Sequence, residues 1–468
     1  MPRPWVLSHA IHGDQPWGVQ RAAMDAAEGH DRWAHFLEQG LGKTALVLNE
    51  FITDEYCKLM FVICPNSFKM DWVMAPKEWG IPNLPARMSP KGDIPSHGMY
   101  VINYEAARSA GNTKTFEKLF EEMPVFLVID EASCLKNPRS LNSKVIMEYA
   151  KRATRVRLLN GTPMTQNVLD LFAQLKCAGE LRTTNMFAFK HRFATVGGYM
   201  GKQITGMKNE DELTAIMKRC SFRALKSDWR DLPPQTDVPV HVEMSPAQVR
   251  HYKEMAEEFY TIVSGMDVHA DMVLTQLGKL RQISSGFTVQ DGHTRLIDPD
   301  GKTPKLSATV DLINSGQGKV IVVYHYQDSG RQLFQRLTDE GLNPAMLKGQ
   351  MKPEDITFTK HVFDTDPGCR VLIAQQTAAC MGHTLLGGEG DDRCTRMIFY
   401  ENNFSLRDRL QMRDRNHRGT QDQPCTYFDL ITSKIEEKVI GALSAKKTMA
   451  DTIDDLVRYA RTEDTLRW

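Results

Sequence analysis

The sequence predicts an α/β protein built from two parallel-sheet domains with a helical insertion between them. Three observations carry that expectation. Short apolar runs of strand length recur in the first part of the chain, helical patterns separate them, and the same alternation returns in the last third. The early runs are 59–64, 99–104, 125–129 and 155–160, and the late ones are 320–326, 371–375, 396–401 and 425–430. Helical periodicity over 208–222, 245–264 and 270–283 marks the insertion. The expected divisions are 1–178, 179–300, 301–434 and 435–468. The last is a helical extension with Ile435, Val439, Ile440 and Leu443 packing back on the domain before it.

At 468 residues the chain is too long for one core. Lys plus Arg equals Asp plus Glu at 58 each, so no global charge announces a nucleic-acid partner, and any basic surface is local. The nine cysteines include no Cys-x-x-Cys pair, which argues for a reducing compartment and against a zinc ribbon or a disulfide framework. No secretory leader is visible, and the longest apolar runs are too short to cross a bilayer, so no membrane partner is expected.

Gly40-Leu41-Gly42-Lys43-Thr44 follows the run His35-Phe36-Leu37-Glu38-Gln39 and precedes Ala45-Leu46-Val47-Leu48. A glycine turn opening a helix turns backbone N–H groups and a partial positive charge toward a polyphosphate. Lys43 then reaches the β- and γ-phosphates and the Thr44 hydroxyl holds Mg²⁺. The first position of the full pattern is Leu37 rather than glycine. Upstream, the Gln20 amide offers a donor and an acceptor to adenine, although a surface helix start reads equally well. Roughly 90 residues on, the 125–129 run delivers Asp130-Glu131 at the carboxyl edge of a strand, where ligands of open α/β sheets bind. Asp130 suits Mg²⁺, and Glu131 suits the water that attacks a γ-phosphate. Gly161-Thr162-Pro163 closes the 155–160 run, and Thr162 is placed to sense the phosphate.

This ordered set resembles the Snf-type (switch/sucrose-nonfermenting) ATPases of helicase superfamily two. The likeness rests on Gln20, Gly40 to Thr44, Asp130-Glu131-Ala132-Ser133 with Leu135-Lys136-Asn137, and Gly161-Thr162-Pro163 with Gln166-Asn167. It extends through 189–193, Arg223, Leu232-Pro233-Pro234, 245–248 with Tyr252, and 280–283, and covers roughly residues 15 to 435. It implies two RecA-like lobes with ATP between them, and translocation on double-stranded DNA in preference to single-stranded DNA or RNA.

In the second half, Gln411, Asp414, Arg415, His417 and Arg418 match the family's Gln-x-x-Asp-Arg-x-His-Arg pattern. Arg415 and Arg418 are three apart, on one helix face, and read as arginine fingers, with His417 structural. The resemblance gives Thr162, Gly382, Gln411 and Asp414 a coupling role. Ala378, Gly382 and Leu385 hold the family's pattern after the 371–374 strand, but Gln375 and Gln376 stand where the family has Ser-Thr, and Ser133 stands where histidine is usual. The basic residues Lys218, Arg219, Arg223, Lys226 and Arg230 are candidates for DNA phosphates. The short insert and bare termini suggest a compact, monomeric, cytoplasmic protein of a bacterium or an infecting virus. A strand-separating DNA or RNA helicase and a DNA-binding protein latched by ATP remain the alternatives.

Overall fold

Leu59-Met60-Phe61-Val62-Ile63-Cys64 is apolar at every position, which suits a strand covered on both faces. In the computed structural model Leu59, Phe61 and Ile63 enter one core, while Met60, Val62 and Cys64 enter another on the opposite face. The structure describes residues 4–9, 13–88, 97–164, 167–181, 183–197, 203–229, 233–264, 270–298, 300, 302–379, 385–388, 390–417 and 421–444. They divide into two units, 1–231 and 232–468.

The first unit contains β1 (Arg32–Leu37), β2 (Leu59–Cys64), β3 (Ala86–Arg87), β4 (Gly98–Asn103), β5 (Val125–Asp130), β6 (Arg155–Leu159), the hairpin β7 (Ala194–Gly197) and β8 (Gln203–Met207), and β9 (Ser221–Ala224). Seven of these form one parallel sheet in the order β3-β4-β2-β5-β6-β1-β9. That order sets β5, β6 and β1 side by side. Asp130, Leu159 and His35 lie in one register row across them, so the turns that follow these strands emerge at the same edge.

An ionic group buried between sheet and helix ties these elements together. The Glu50 carboxylate, on the helix Lys43–Ile52, takes His35 Nε2 of β1 at 3.1 Å and Arg157 Nε of β6 at 2.5 Å. All three side chains are at most 1% exposed. The Arg157 guanidinium also lies over the Phe126 ring of β5, 5.6 Å from its centroid. Burial alone raises the Glu50 carboxyl, but Arg157 and His35 outweigh it and hold the group at about 2.

The second unit contains β10 (Gln235–His241), the hairpin β11 (Phe287–Gln290) and β12 (His293–Leu296), β13 (Val320–Tyr324), β14 (Ala345–Leu347), β15 (Val371–Gln375), β16 (Arg396–Phe399) and β17 (Cys425–Ile431). Its six-stranded sheet runs β10-β17-β16-β13-β15-β14, again all parallel. Ile321 and Val323 face one core, and Val320, Val322 and Tyr324 the other.

The stretch 179–300, expected as an insertion, is shared between the units. β9 joins the first sheet beside β1, and β10 is the edge strand of the second. Both were missed because neither gives an apolar run: Ser221-Phe222-Arg223-Ala224 is short and half polar, and β10 carries Gln235, Thr236, Asp237 and Pro239. The periodic helices appear as Glu210–Cys220, Pro246–Ser264 and Ala270–Ser284. Of the C-terminal extension, Lys434–Ser444 is a helix with Ile435, Val439 and Leu443 buried, and 445–468 lies outside the described residues. No helix among the described residues is long and apolar enough to cross a membrane.

Arg157→Met removes the guanidinium from the buried Glu50 carboxylate, at a cost of about 3–5 kcal/mol. Six of the seven tryptophans precede residue 232, so tryptophan fluorescence in a urea titration reads the first unit. Because Glu50 is held near 2 against an ordinary 4.5, its stabilisation is full above about pH 5 and is lost as pH falls toward 2. Glu50→Gln removes that part of the acid dependence.

Candidate nucleotide and nucleic-acid site

The turn after β1 is built to bring backbone close to a ligand. Gly40 has φ +84° and Gly42 φ +75°, left-handed values that favour glycine. A β-carbon on Gly42 would lie 2.2 Å from Gln20 Nε2, so any side chain there would displace the Gln20 amide. Gln20 is buried. Its Oε1 accepts from the Trp17 N–H at 2.8 Å and its Nε2 donates to the Gly42 carbonyl at 3.1 Å. The residue expected to read adenine therefore also holds the glycine turn in place, which sequence reasoning missed. Lys43 Nζ donates to the Leu37 and Glu38 carbonyls at 2.7 and 3.2 Å, folded over the loop that it follows. Thr44 occupies the first turn of the helix. Leu41 buries its side chain with Val19, Leu37 and Leu46, and its N–H donates to the Glu38 carbonyl at 3.3 Å.

Two positions along the row, Asp130 ends β5. Its Oδ2 accepts from Trp72 Nε1 at 2.8 Å and its Oδ1 from the Glu131 N–H at 2.9 Å. Loss of water pushes this carboxyl up to about 6. The Trp72 hydrogen bond opposes the rise, the Glu131 charge adds to it, and Lys43 opposes it from across the site. Glu131 lies beyond the strand end, and its backbone is left-handed, at φ 54° and ψ 53°. Such a conformation costs a non-glycine residue about 1–2 kcal/mol. The Tyr104 hydroxyl on the Asp130 carbonyl (2.7 Å) and the Cys134 N–H on the Glu131 carbonyl (2.9 Å) offset that cost. Ser133 donates its hydroxyl to Glu131 Oε1 at 3.2 Å.

Between the two, β6 leads into Gly161-Thr162-Pro163. A β-carbon on Gly161 would meet Gln39 and the Leu37 carbonyl at 3.4–3.5 Å, so this turn rests against the glycine loop. Asn160 Oδ1 accepts the Thr162 N–H at 3.2 Å, and Asn160 Nδ2 donates to Gln174 Oε1 at 2.9 Å. Thr162 itself is exposed. Gln166 lies outside the described residues, whereas Asn167 caps the turn that follows. The first unit thus brings Lys43, Asp130, Glu131 and Thr162 to three adjacent strand ends.

In the second unit, Gln411, Asp414 and Arg415 lie on the helix Leu406–Asn416, where Gln411 and Arg415 are both buried. Arg418 and Gly382 fall outside the described residues. His417 uses both ring nitrogens on Gln235 and the Pro233 carbonyl, at 2.5 and 2.7 Å, as a structural residue does.

A family model described as the SNF2-related domain matches residues 36–287, more than half of the chain. This chain belongs to the SNF2-related family. It is 24% identical over 444 residues to a SWI/SNF-related matrix-associated actin-dependent regulator of chromatin subfamily A-like protein 1 homolog of Caenorhabditis elegans, covering 92% of this chain and 59% of that one. It is 25% identical to the human SWI/SNF-related matrix-associated actin-dependent regulator of chromatin subfamily A member 1, covering 87% and 40%. It is 22% identical to the Saccharomyces cerevisiae DNA repair and recombination protein RDH54, covering 84% and 44%. The chain spans between 40% and 59% of the length of these relatives. Among solved structures it is similar to a Sulfolobus solfataricus SWI2/SNF2 ATPase core in complex with dsDNA, at TM-score 0.43, 20% identity and coverage of 98% and 96%. These relatives lend no support to the bacterial or viral origin expected above.

Among the basic residues of this SNF2-related chain expected on a nucleic-acid face, Lys226 is an exception. It is buried, and its N–H donates to Glu38 Oε2 of the glycine loop at 2.7 Å. Lys218, Arg219 and Arg223 are exposed, Arg219 pairing with Glu180 at 2.9 Å, and Arg230 is outside the described residues. Near Lys226, the Trp229 ring lies where a β-carbon on Gly18 would be 3.5 Å away.

Trp72 carried no motif, yet it orients the carboxylate at the centre of the site. In the metal-free protein the Asp130 carboxyl carbon should titrate near pH 6 by ¹³C NMR. Trp72→Phe keeps the ring but deletes the N–H that favours the charged form, and should move that midpoint upward. An unchanged midpoint would contradict the hydrogen bond's role.

Proposed function

We propose that this chain hydrolyses ATP in a reaction stimulated by double-stranded DNA, and that it uses the cycle to move along the duplex. One observation carries the reading. In a chain of the SNF2-related family, the glycine loop, the Asp130-Glu131 pair and the Gly161-Thr162 turn emerge at three neighbouring strand ends.

In this reading Gly40, Leu41 and Gly42 present backbone N–H groups to the phosphates, and Lys43 exchanges its loop carbonyls for phosphate oxygens. The donor set fits Mg²⁺, since a hydroxyl at Thr44 and a carboxylate at Asp130 are hard oxygen ligands. Among the described residues each Asp130 oxygen has one hydrogen-bond donor, which leaves further lone pairs for a cation. When bound, the ion neutralises charge that builds on the phosphate oxygens. Glu131 aligns the attacking water and takes its proton, and the Ser133 hydrogen bond fixes which carboxylate oxygen faces inward. Thr162 reports the phosphate state through the Asn160–Gln174 bond behind it. Arg415 and Arg418 serve as arginine fingers, supplying positive charge to the transition state. Gly382, Gln411 and Asp414 take part in coupling, and Gln20 reads adenine while bracing Gly42. Phosphate contacts dominate on DNA, so binding is tolerant of sequence and sensitive to salt.

Steady-state hydrolysis with duplex DNA, single-stranded DNA and RNA tests the reading. Duplex DNA should stimulate most. Equal rates with and without duplex would remove the translocase, and preference for single strands or RNA would favour a strand-separating helicase. Glu131→Gln should lower kcat by about 10²–10⁴ with nucleotide binding retained. Unchanged turnover would leave ATP as a latch only.

A further inference from the structure

The second unit opens with Pro233-Pro234 and β10, and the side chains of that strand meet one face of the helix Leu406–Asn416 in an ordered series. Gln235 and Asp237 are two apart, hence on one face of the strand. Arg409 and Arg413 are four apart, hence on one stripe of the helix, and the residue that caps it, His417, follows at the same spacing. Arg409 bonds Asp237 at 3.1 Å, Arg413 bonds Asp237 at 3.2 Å and Gln235 at 2.5 Å, and His417 bonds Gln235 at 2.5 Å and the Pro233 carbonyl at 2.7 Å. As the helix advances, the strand recedes, so the contacts form a ladder.

Its hydrogen bonds run one way. Arg413 Nη2–H donates to Gln235 Oε1, Gln235 Nε2–H to His417 Nδ1, and His417 Nε2–H to the Pro233 carbonyl. The series closes with the imidazole proton on Nε2. Aromatic rings floor it: Arg409 lies 4.5 Å from the Phe399 centroid and Arg413 4.3 Å from that of Tyr427. Arg409 is further held by both oxygens of the buried Asp429, at 2.6 and 2.8 Å.

We propose that this ladder positions the helix that carries Arg415, fixing its rotation against the first strand of the second unit. Successive helical residues turn about 100°, so Gln411 and Arg415 stand about 160–200° round from the Arg409–Arg413–His417 stripe. Securing one face therefore sets the direction of the other. Asp237 is half-exposed, and a single rung there contributes little stability, since exposed ion pairs are worth about 0–1 kcal/mol. Three rungs on one stripe are a constraint on orientation. Gln235, Arg413 and His417 are thus positioning residues, and the chain that enters the second unit is wired to the arginine helix. This rests on the reading of Arg415 as a group that acts on the nucleotide.

The test uses the full chain and the variants Gln235→Ala, Arg413→Ala, Arg413→Lys and the double alanine. A misaimed transition-state group lowers kcat, here by about ten- to a hundredfold, and leaves KM for ATP within about twofold. Arg413→Lys should recover part of the loss. The double variant should be no worse than the poorer single one, because both cut the same series. Equal falls in kcat and thermal stability, or no fall in kcat, would overturn the inference while wild-type turnover keeps the proposed function standing. Hydrogen exchange over 406–416 is read in parallel and needs no turnover. Faster exchange in Arg413→Ala without a change in unfolding temperature supports the ladder, and unchanged exchange overturns it even if the wild type proves inactive.

Discussion

A single carboxylate without water, Glu50, fixes the geometry on which the first unit's site depends. It lies on the helix that begins at Lys43 and is bonded to one residue of β1 and one of β6. Those two strands lead into the glycine loop and the Gly161-Thr162-Pro163 turn. A buried charge set of this kind adds little to stability compared with a well-packed apolar replacement. What it adds is position, because one carboxylate is bonded at once to a side chain of β1 and a side chain of β6. The loop and the turn that rests on it are therefore referenced to one point.

A second reference point is the left-handed backbone of Glu131. Two adjacent acids on a continuing strand would point to opposite faces of the sheet, one of them away from the edge. Ending the strand at Asp130 and turning the next residue keeps both near the opening. The strain is local, and the hydroxyl of Tyr104 and the N–H of Cys134 hold it.

Much of this was legible in the sequence because the central strands are apolar on both faces and the loop glycines have steric reasons to be glycine. The helices of 208–222, 245–264 and 270–283 were legible by their period. What escaped was of two kinds. Edge strands β9 and β10 are polar, so no pattern separates them from loops, and their absence turned the shared segment into an insertion. Long-range partners escaped as well. Nothing local marks Trp72 as the donor to Asp130 58 residues away, or Gln235 as the partner of His417 182 residues on. Lys226 looked like a surface charge because its type is usually exposed. Only the pairing of β9 with β1 reveals that its backbone serves the glycine loop.

The prolines at the start of the second unit have a mechanical consequence. Pro233 and Pro234 have fixed φ and no N–H, so this short length of chain cannot flex like ordinary backbone. Both of its carbonyls are occupied, one by His417 and the other by the Cys425 N–H at 3.0 Å. A pull on a floppy tether is absorbed as slack, whereas a pull on a stiff strut is passed on. The dipeptide acts as such a strut, with its load delivered to β17 through one carbonyl and to the imidazole at the end of the arginine helix through the other.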